Sequence, residues 1–176
     1  WDTGWYLGIA DNGYTATTAV NLNYQADYAF FPLYPLIIRL FNLVVNNNFI
    51  SGIIISNICL LTSSIYLYAL VYLDESEDVA LRSVKYLFLF PTAYILSGVF
   101  TESLYLALAL TSFYYARKGD WPIAGSLGFL LSLTRSLGVF IFIPLLYEYL
   151  KSKPISRDIS YLFLIPFGLL LFMIYN

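Results

Sequence analysis

Histidine is absent from this sequence of 176 residues, and cysteine occurs once, at Cys59. The lack of histidine removes the commonest metal ligand and the commonest general base. Acid–base chemistry must therefore be carried out by Asp, Glu, Lys or Tyr side chains. A single cysteine excludes an intrachain disulfide. The sequence also contains no glycine-rich phosphate loop, no zinc-ligand spacing and no Ser-His-Asp arrangement, so we expect no cofactor and no required metal ion.

Charged residues are scarce and hydrophobic residues are abundant, with shares of 11% and 60%. Soluble domains carry about 25% charged residues and ~45–50% apolar residues. The net charge is only −2, and no basic stripe is present to neutralise phosphates, which argues against nucleic acid as a partner. The composition is typical of a membrane protein that is surrounded by membrane lipids.

The first residues place one carboxylate, Asp2, among the aromatic side chains of Trp1, Trp5 and Tyr6. Rings that reduce the hydration of a carboxylate make it a stronger base at neutral pH. Asp2 is therefore a candidate general base. The alternative interpretation is a surface aspartate that caps the first helix, which is common. Residues 1–28 contain no long apolar run, which predicts an extramembrane loop.

Residues 29–45 are apolar but are interrupted by Pro32, Pro35 and Arg39. This pattern favours a helix that lies along the membrane surface, and a span end kinked by its prolines is the alternative. Arg39 is either a phosphate ligand or a side chain whose charge reaches back to the membrane surface. Residues 49–73 carry no charge and are long enough to cross the bilayer.

Two longer apolar stretches, residues 84–115 and 123–149, each contain an ionisable residue near the middle, Glu102 and Arg135. Basic residues bracket both stretches. They fall on one side of the membrane only if each stretch is a hairpin, so the positive-inside rule favours hairpins. Each arm of about 16 residues reaches ~24 Å, which is short of the ~30 Å hydrocarbon core. Glu102 and Arg135 are then expected in a recess that opens outside, on the same face as Asp2.

This pattern predicts an all-α polytopic membrane protein with two parts. Residues 1–48 are expected to form an extracytoplasmic catalytic loop with a juxtamembrane helix, and residues 49–176 a transmembrane helical domain. The acidic residues 74–78 are interpreted as a loop. The predicted membrane helices, about six short or full ones, are 49–73, 84–100, 102–116, 122–134, 136–150 and 159–175.

Ionisable groups within apolar segments are costly and are by default functional-site candidates. Arg135 suits a phosphate because its guanidinium presents a planar fork of donors. Two other interpretations stay open. Glu102 and Arg135 are then a structural ion pair that joins the two hairpins, or they are simply exposed at the hairpin tips.

Four strings follow one another in a specific order: WDTGWYLGIADNGY, YAFFPLYPLIIRL, FPTAYILSGVFTESLYLALALTSFYYARKGDW and AGSLGFLLSLTRSLGVF. Together they resemble the PIG-V family, of the GPI mannosyltransferase 2 type, and its prokaryotic relatives. The resemblance extends through residues 1–150. Each string alone is a weak signal, and the ordered combination is a specific one.

The resemblance implies a GT-C fold, that is, a multi-span glycosyltransferase that uses a polyprenyl-phosphate sugar, usually dolichyl-phosphate mannose. It implies that Asp2 matches the catalytic aspartate of the first extracytoplasmic loop, and that Pro91 belongs to a later family string. The residues expected to bind substrate are Trp1, Trp5, Tyr6, Tyr34, Glu102, Ser103 and Arg135. The family's first span and its C-terminal spans are missing, so we expect a piece of a longer protein.

We therefore expect a membrane mannosyltransferase that moves mannose from polyprenyl-phosphate mannose to a glycolipid or glycan acceptor outside the cytoplasm, with Asp2 as the general base. A GT-C transferase for another lipid-linked sugar is one alternative. A transporter or lipid-binding protein without catalysis is another, although transporters place ionisable groups near mid-membrane. The expected location is the cell membrane in a prokaryote or the endoplasmic reticulum membrane in a eukaryote.

Overall fold

The computed structural model describes residues 2–14, 27–152 and 156–175, and over these ranges the fold is all-helical, without a β-strand. The α-helices are α1 (Thr3–Asn12), α2 (Leu33–Val45), α3 (Asn48–Val71), α4 (Glu77–Leu89), α5 (Glu102–Arg117), α6 (Trp121–Ser132), α7 (Phe142–Ser152) and α8 (Leu164–Tyr175). Segments of 3-10 helix lie between them at Asp27–Ala29, Ala93–Ser97, Ser136–Ile141 and Arg157–Phe163. Two helical stretches, Asn48–Val71 and Arg157–Tyr175, are long and apolar enough to cross a membrane.

Side-chain caps and one glycine set the boundaries of the longer helices. The Asn47 side chain accepts a hydrogen bond from the Ile50 amide at 3.0 Å and so caps the start of α3. The Asp120 carboxylate caps α6 in the same way through the Ile123 amide at 3.3 Å. Between α5 and α6 the chain turns at Gly119, whose φ of 81° suits a residue without a side chain. The two helices are therefore joined by a tight turn and pack side by side.

Helix α4 differs from the predicted arm 84–100 at both ends. It begins inside the acidic stretch, because Glu77 and Asp78 lie in its first turn, where negative charge interacts favourably with the helix dipole. It ends at Leu89, because Pro91 disfavours helical geometry at Phe90, which is extended with φ −63° and ψ 133°. The chain then continues as a short 3-10 segment towards α5.

Helix α2 is amphipathic. It starts directly after Pro32 and tolerates Pro35 in its first turn, where an amide hydrogen has no helical partner. It ends at Val45, because the next residue, Asn46, adopts the left-handed conformation with φ 55°. Its inner face is buried at Tyr34 and Ile38. Its outer face exposes Leu36, Leu40, Leu43 and Val44.

Close helix packing fixes the turn that follows α6. A Cβ atom at Gly138 would overlap the Leu131 carbonyl, and a Cβ atom at Gly168 would overlap the Ser132 hydroxyl. Helix α8 and the 3-10 segment after Arg135 therefore both pack directly on the end of α6, an arrangement that small residues permit. This contact holds the backbone that carries Arg135.

Two buried clusters lie at the two ends of α5. One contains Leu104, near the start of α5, and the other contains Ala116, near its end. At the second end, Arg117 forms ion pairs with Asp74 at 2.6 Å and with Glu148 at 3.1 Å. Sixteen helical residues separate these ends, which corresponds to ~24 Å. The first cluster joins α1, α2, α3 and α5, and it supports the site described next.

Candidate functional site

Asp2 stands at the start of α1, and its carboxylate forms no hydrogen bond or ion pair with any residue that the structure describes. It occupies the N-cap position, but its side chain makes no capping hydrogen bond. Its backbone carbonyl instead accepts hydrogen bonds from the amides of Trp5 and Tyr6 at 3.0 and 3.2 Å. The side chain is exposed, so its setting is wetter than the aromatic pattern predicts. The carboxylate is therefore free to meet a ligand from solution or from the membrane surface.

The rings of Trp5 and Tyr6 pack against other aromatic side chains of the protein. The Trp5 ring stacks on Phe30 with 5.5 Å between ring centroids. The Tyr6 ring is buried and meets Phe30 and Tyr34 edge-on at 5.1 and 5.4 Å. These contacts fix α1 against the segment that precedes α2. Trp1 lies outside the described residues.

Tyr6 also attaches α1 to the turn before α5. Its hydroxyl hydrogen-bonds to the Thr101 hydroxyl at 3.4 Å, and the Thr3 hydroxyl donates to the Val99 carbonyl at 3.1 Å. Burial raises the pKa of the Tyr6 phenol, with a smaller opposing effect from the Thr101 hydrogen bond, so the phenol stays protonated. The extramembrane helix is therefore held on the same turn that leads to Glu102.

Glu102 and Arg135 meet directly across the gap between α5 and the turn after α6. The Arg135 Nη1 atom donates to Glu102 Oε1 at 2.7 Å, and the two side chains are 40% and 35% exposed. Arg135 is extended and immediately precedes the 3-10 segment Ser136–Ile141. Its other guanidinium nitrogens make no hydrogen bond to any residue within the described ranges. A planar guanidinium with spare donors remains able to bind an anion.

A single cavity brings Asp2 and Arg135 together. Its volume is about 200 Å³, and we call it the Asp2 cavity. Its walls include Asp2, Tyr6, Phe30, Phe31, Thr134 and Arg135. Phe30, Phe31 and Thr134 are site residues beyond those predicted from the sequence, although they stand in the FFPLYP and LTRS strings. A carboxylate and a guanidinium thus share one small space at the end of α5 that carries Glu102.

Two of the predicted binding residues lie in the protein core. Tyr34 is fully buried, and its hydroxyl bonds to the Ser56 hydroxyl at 2.7 Å and the Gly52 carbonyl at 3.2 Å. Ser103 is also buried, and its hydroxyl finds no hydrogen-bond partner among the residues that the structure describes. Neither side chain lines the Asp2 cavity, and the Tyr34 hydroxyl bonds to α3 instead.

The structure also contains two apolar cavities whose lining residues are next in sequence, or bonded, to residues of the Asp2 cavity. One has a volume of about 480 Å³, and Arg39 stands in its wall with Leu36, Leu133 and Phe172. The other has a volume of about 370 Å³, and Glu102 stands in its wall with Leu87 and Phe90. We call them the Arg39 cavity and the Glu102 cavity. No group of three Asp, Glu, Cys or His side chains in the described part of the chain is placed to hold a metal ion.

Comparison with known proteins gives a family match. A family described as Mannosyltransferase (PIG-V) matches residues 1–153. The match spans the residues that form the Asp2 cavity and both of its apolar neighbours, except for the α8 residues of the Arg39 cavity. No curated protein and no solved structure matches the chain.

Proposed function

Because the chain belongs to the PIG-V family of mannosyltransferases, we propose that it transfers mannose from a polyprenyl-phosphate carrier to a glycolipid or glycan acceptor outside the cytoplasm. Membership makes the chain a glycosyltransferase, with a sugar donor and a glycan acceptor, and its apolar helices indicate a membrane protein. The lipid carrier, the GT-C architecture and the role of Asp2 are the proposal. The proposed location of the protein is the cell membrane or, in a eukaryote, the endoplasmic reticulum membrane.

The shared position of Asp2 and Arg135 in one cavity supports this proposal. Transfer from a sugar phosphate needs a base for the acceptor hydroxyl and a cation for the departing phosphate. Asp2 is the exposed carboxylate of the cavity, and Arg135 is the cation with donors to spare.

The reaction balances with these two groups. The acceptor hydroxyl gives its proton to the Asp2 carboxylate while its oxygen bonds to the anomeric carbon of mannose. The bond between that carbon and the phosphate oxygen breaks, and the electron pair leaves with the phosphate. The phosphate gains one negative charge, which Arg135 stabilises through charge-assisted hydrogen bonds. A phosphate is already a good leaving group, so no strong acid is required.

Glu102 positions Arg135 in this scheme. Its carboxylate engages one guanidinium nitrogen and leaves the remaining donors for the phosphate. Arg135 can therefore form the ion pair with Glu102 and bind a phosphate at the same time, because the ion pair uses only one guanidinium nitrogen.

The test is a transfer assay in membranes that contain the protein. Polyprenyl-phosphate mannose, polyprenyl-phosphate glucose and GDP-mannose are each supplied with a panel of glycolipid and glycan acceptors. We expect transfer from polyprenyl-phosphate mannose, and loss of transfer in Asp2→Asn. Transfer from the glucose donor alone would show that the transferred sugar is not mannose. Transfer from GDP-mannose alone would show that the donor is not lipid-linked.

A further inference from the structure

The Arg39 cavity lies next to the Asp2 cavity, because residues that are adjacent in the sequence line the two cavities. Phe31 lines the Asp2 cavity and Pro32 lines the Arg39 cavity. On the facing side, Leu133 lines the Arg39 cavity and Thr134 lines the Asp2 cavity. The Leu33 amide donates to the Leu133 carbonyl at 3.1 Å, which joins the two sides. One layer of residues therefore separates the two cavities.

The phenol of Tyr14 holds the same wall from the α1 side. Its hydroxyl donates to the Phe30 carbonyl at 2.5 Å. Burial, with a smaller effect from Asp27, raises the pKa of Tyr14, so the donor proton is kept across the physiological range. Tyr14 lines the Arg39 cavity and Phe30 lines the Asp2 cavity. The boundary between the cavities is therefore built from ordered contacts.

Charge distinguishes the two apolar cavities. The wall of one carries the cation Arg39, which is exposed and forms no ion pair with the residues that the structure describes. The wall of the other carries the carboxylate Glu102. Arg39 attracts an anionic phosphate to the first cavity, whereas Glu102, whose charge Arg135 already balances, offers a phosphate no attraction in the second. A long apolar chain suits the lining of either cavity.

We propose that the isoprenoid chain of the donor lies in the Arg39 cavity, and that Arg39 attracts the donor phosphate towards Arg135. This inference rests on the proposed function, because it takes a polyprenyl-phosphate sugar as the donor. The phosphate stands at the wall between the cavities, the sugar faces Asp2, and the chain runs between α2 and α8 past Leu36 and Phe172. The Glu102 cavity does not receive the donor.

A substitution that fills the Arg39 cavity tests whether the isoprenoid chain lies there. In Leu36→Trp the indole occupies the space of several methylene groups. We expect the donor KM to rise at least about tenfold, the effect of displacing two methylenes from an apolar site, while kcat stays near the wild-type value. The KM should rise less for donors whose isoprenoid chain is too short to reach Leu36. Leu40→Trp is the matched control, since Leu40 is exposed one turn later on α2 and does not line the cavity.

Removing the charge tests Arg39. We expect Arg39→Gln to raise the donor KM about two- to fivefold at low ionic strength, the size of an exposed charge interaction. This difference should disappear in about 1 M salt. Arg39→Lys should keep the wild-type KM, because a long-range attraction depends on the positive charge and not on the planar guanidinium group. Arg82→Gln is the control, as Arg82 is exposed on α4 and away from all three cavities.

Photo-crosslinking separates a failure of this inference from a failure of the proposed function. Polyprenyl phosphate with a diazirine in its chain is irradiated with the wild-type protein and with Asp2→Asn, since binding requires no turnover. We expect label on peptides from α2 and α8. Label on α4 with normal mannose transfer would overturn the inference alone. Absence of both label and transfer from any lipid-linked sugar would overturn the inference together with the proposed function.

Discussion

The Arg135 guanidinium donates to the Glu102 carboxylate at 2.7 Å, across a sequence separation of 33 residues. This bond joins the first turn of α5 to the turn after α6. Both side chains remain partly exposed, at 40% and 35%. An ion pair of this exposure contributes little stability, on the order of 0–1 kcal/mol. Its consequence is mainly geometric, because it orients the guanidinium beside the Asp2 cavity.

Arg135→Ala is expected to slow transfer about 100- to 1000-fold, the loss typical of removing a donor that stabilises developing negative charge. Arg135→Lys should recover only part of this, because the ammonium lacks the planar fork. Donor turnover in membranes is the measurement. An Arg135→Ala protein with normal donor KM and kcat would make the residue structural.

Glu102→Gln provides the companion experiment. The amide oxygen still accepts a hydrogen bond from Arg135 but carries no charge. We expect the variant to fold and to retain transfer within about tenfold of the wild type, since orientation is largely kept. If Glu102→Gln and Arg135→Ala both unfold the protein, the two residues form an ion pair that is required for folding.

Asp2→Asn is expected to fold and bind donor but to transfer sugar at least ~100-fold more slowly, because a positioned general base contributes ~10²–10⁴-fold. Single-turnover rates with bound donor measure the chemical step. Asp11→Asn is the matched control, as Asp11 is an exposed carboxylate at the other end of α1 that accepts from the Asn48 amide group. Asp27 is a weaker control because it is buried. Near-normal turnover in Asp2→Asn would show that Asp2 is not the general base.

The ion pair between Asp74 and Arg117 predicts a pH dependence of stability. The hydrogen bond from Arg117 holds the pKa of the Asp74 carboxyl below its usual range. A lowered folded-state pKa adds stability that is present above about pH 4 and is lost as the pH falls through the lowered value. Asp74→Asn should therefore lower Tm slightly at neutral pH and not at acid pH, where the wild-type carboxylate is protonated. Glu75→Gln, in the same loop, is the control in a thermal-shift assay, because Glu75 forms no ion pair with Arg117.

The positions of the charged ends predict membrane orientation. Asp74, Arg117 and Glu148 meet at one end of α5, while Asp2 and Arg135 stand at the other. In a Cys59→Ser background, cysteines at Lys118 and Lys151 should be labelled from the cytoplasmic side only, and one at Asn12 from outside only. Labelling of Lys118 and Lys151 from opposite sides would contradict the hairpins. Lys153, which belongs to the same basic cluster, lies outside the described residues.

Local sequence determined much of the helical framework, because the signals act over only a few residues. The caps at Asn47 and Asp120 and the turn at Gly119 are each readable from neighbouring positions. Pro91 shows the limit of that reading. Its effect on Phe90 is local, but the long apolar run concealed the end of α4, since hydrophobicity alone does not distinguish a continuous helix from an interrupted one.

By itself the sequence determined the membrane character, the family and three ionisable candidates, since composition and ordered motifs are properties of the linear chain. Only the tertiary structure decided how those candidates are used. It paired Glu102 with Arg135, brought Asp2 into the same cavity as Arg135, and turned Tyr34 into the core. These outcomes depend on helix packing, in which Gly138 and Gly168 permit close contact with α6. Contacts between residues far apart in the chain arise from the shape and rotation of whole helices, which no short sequence pattern specifies.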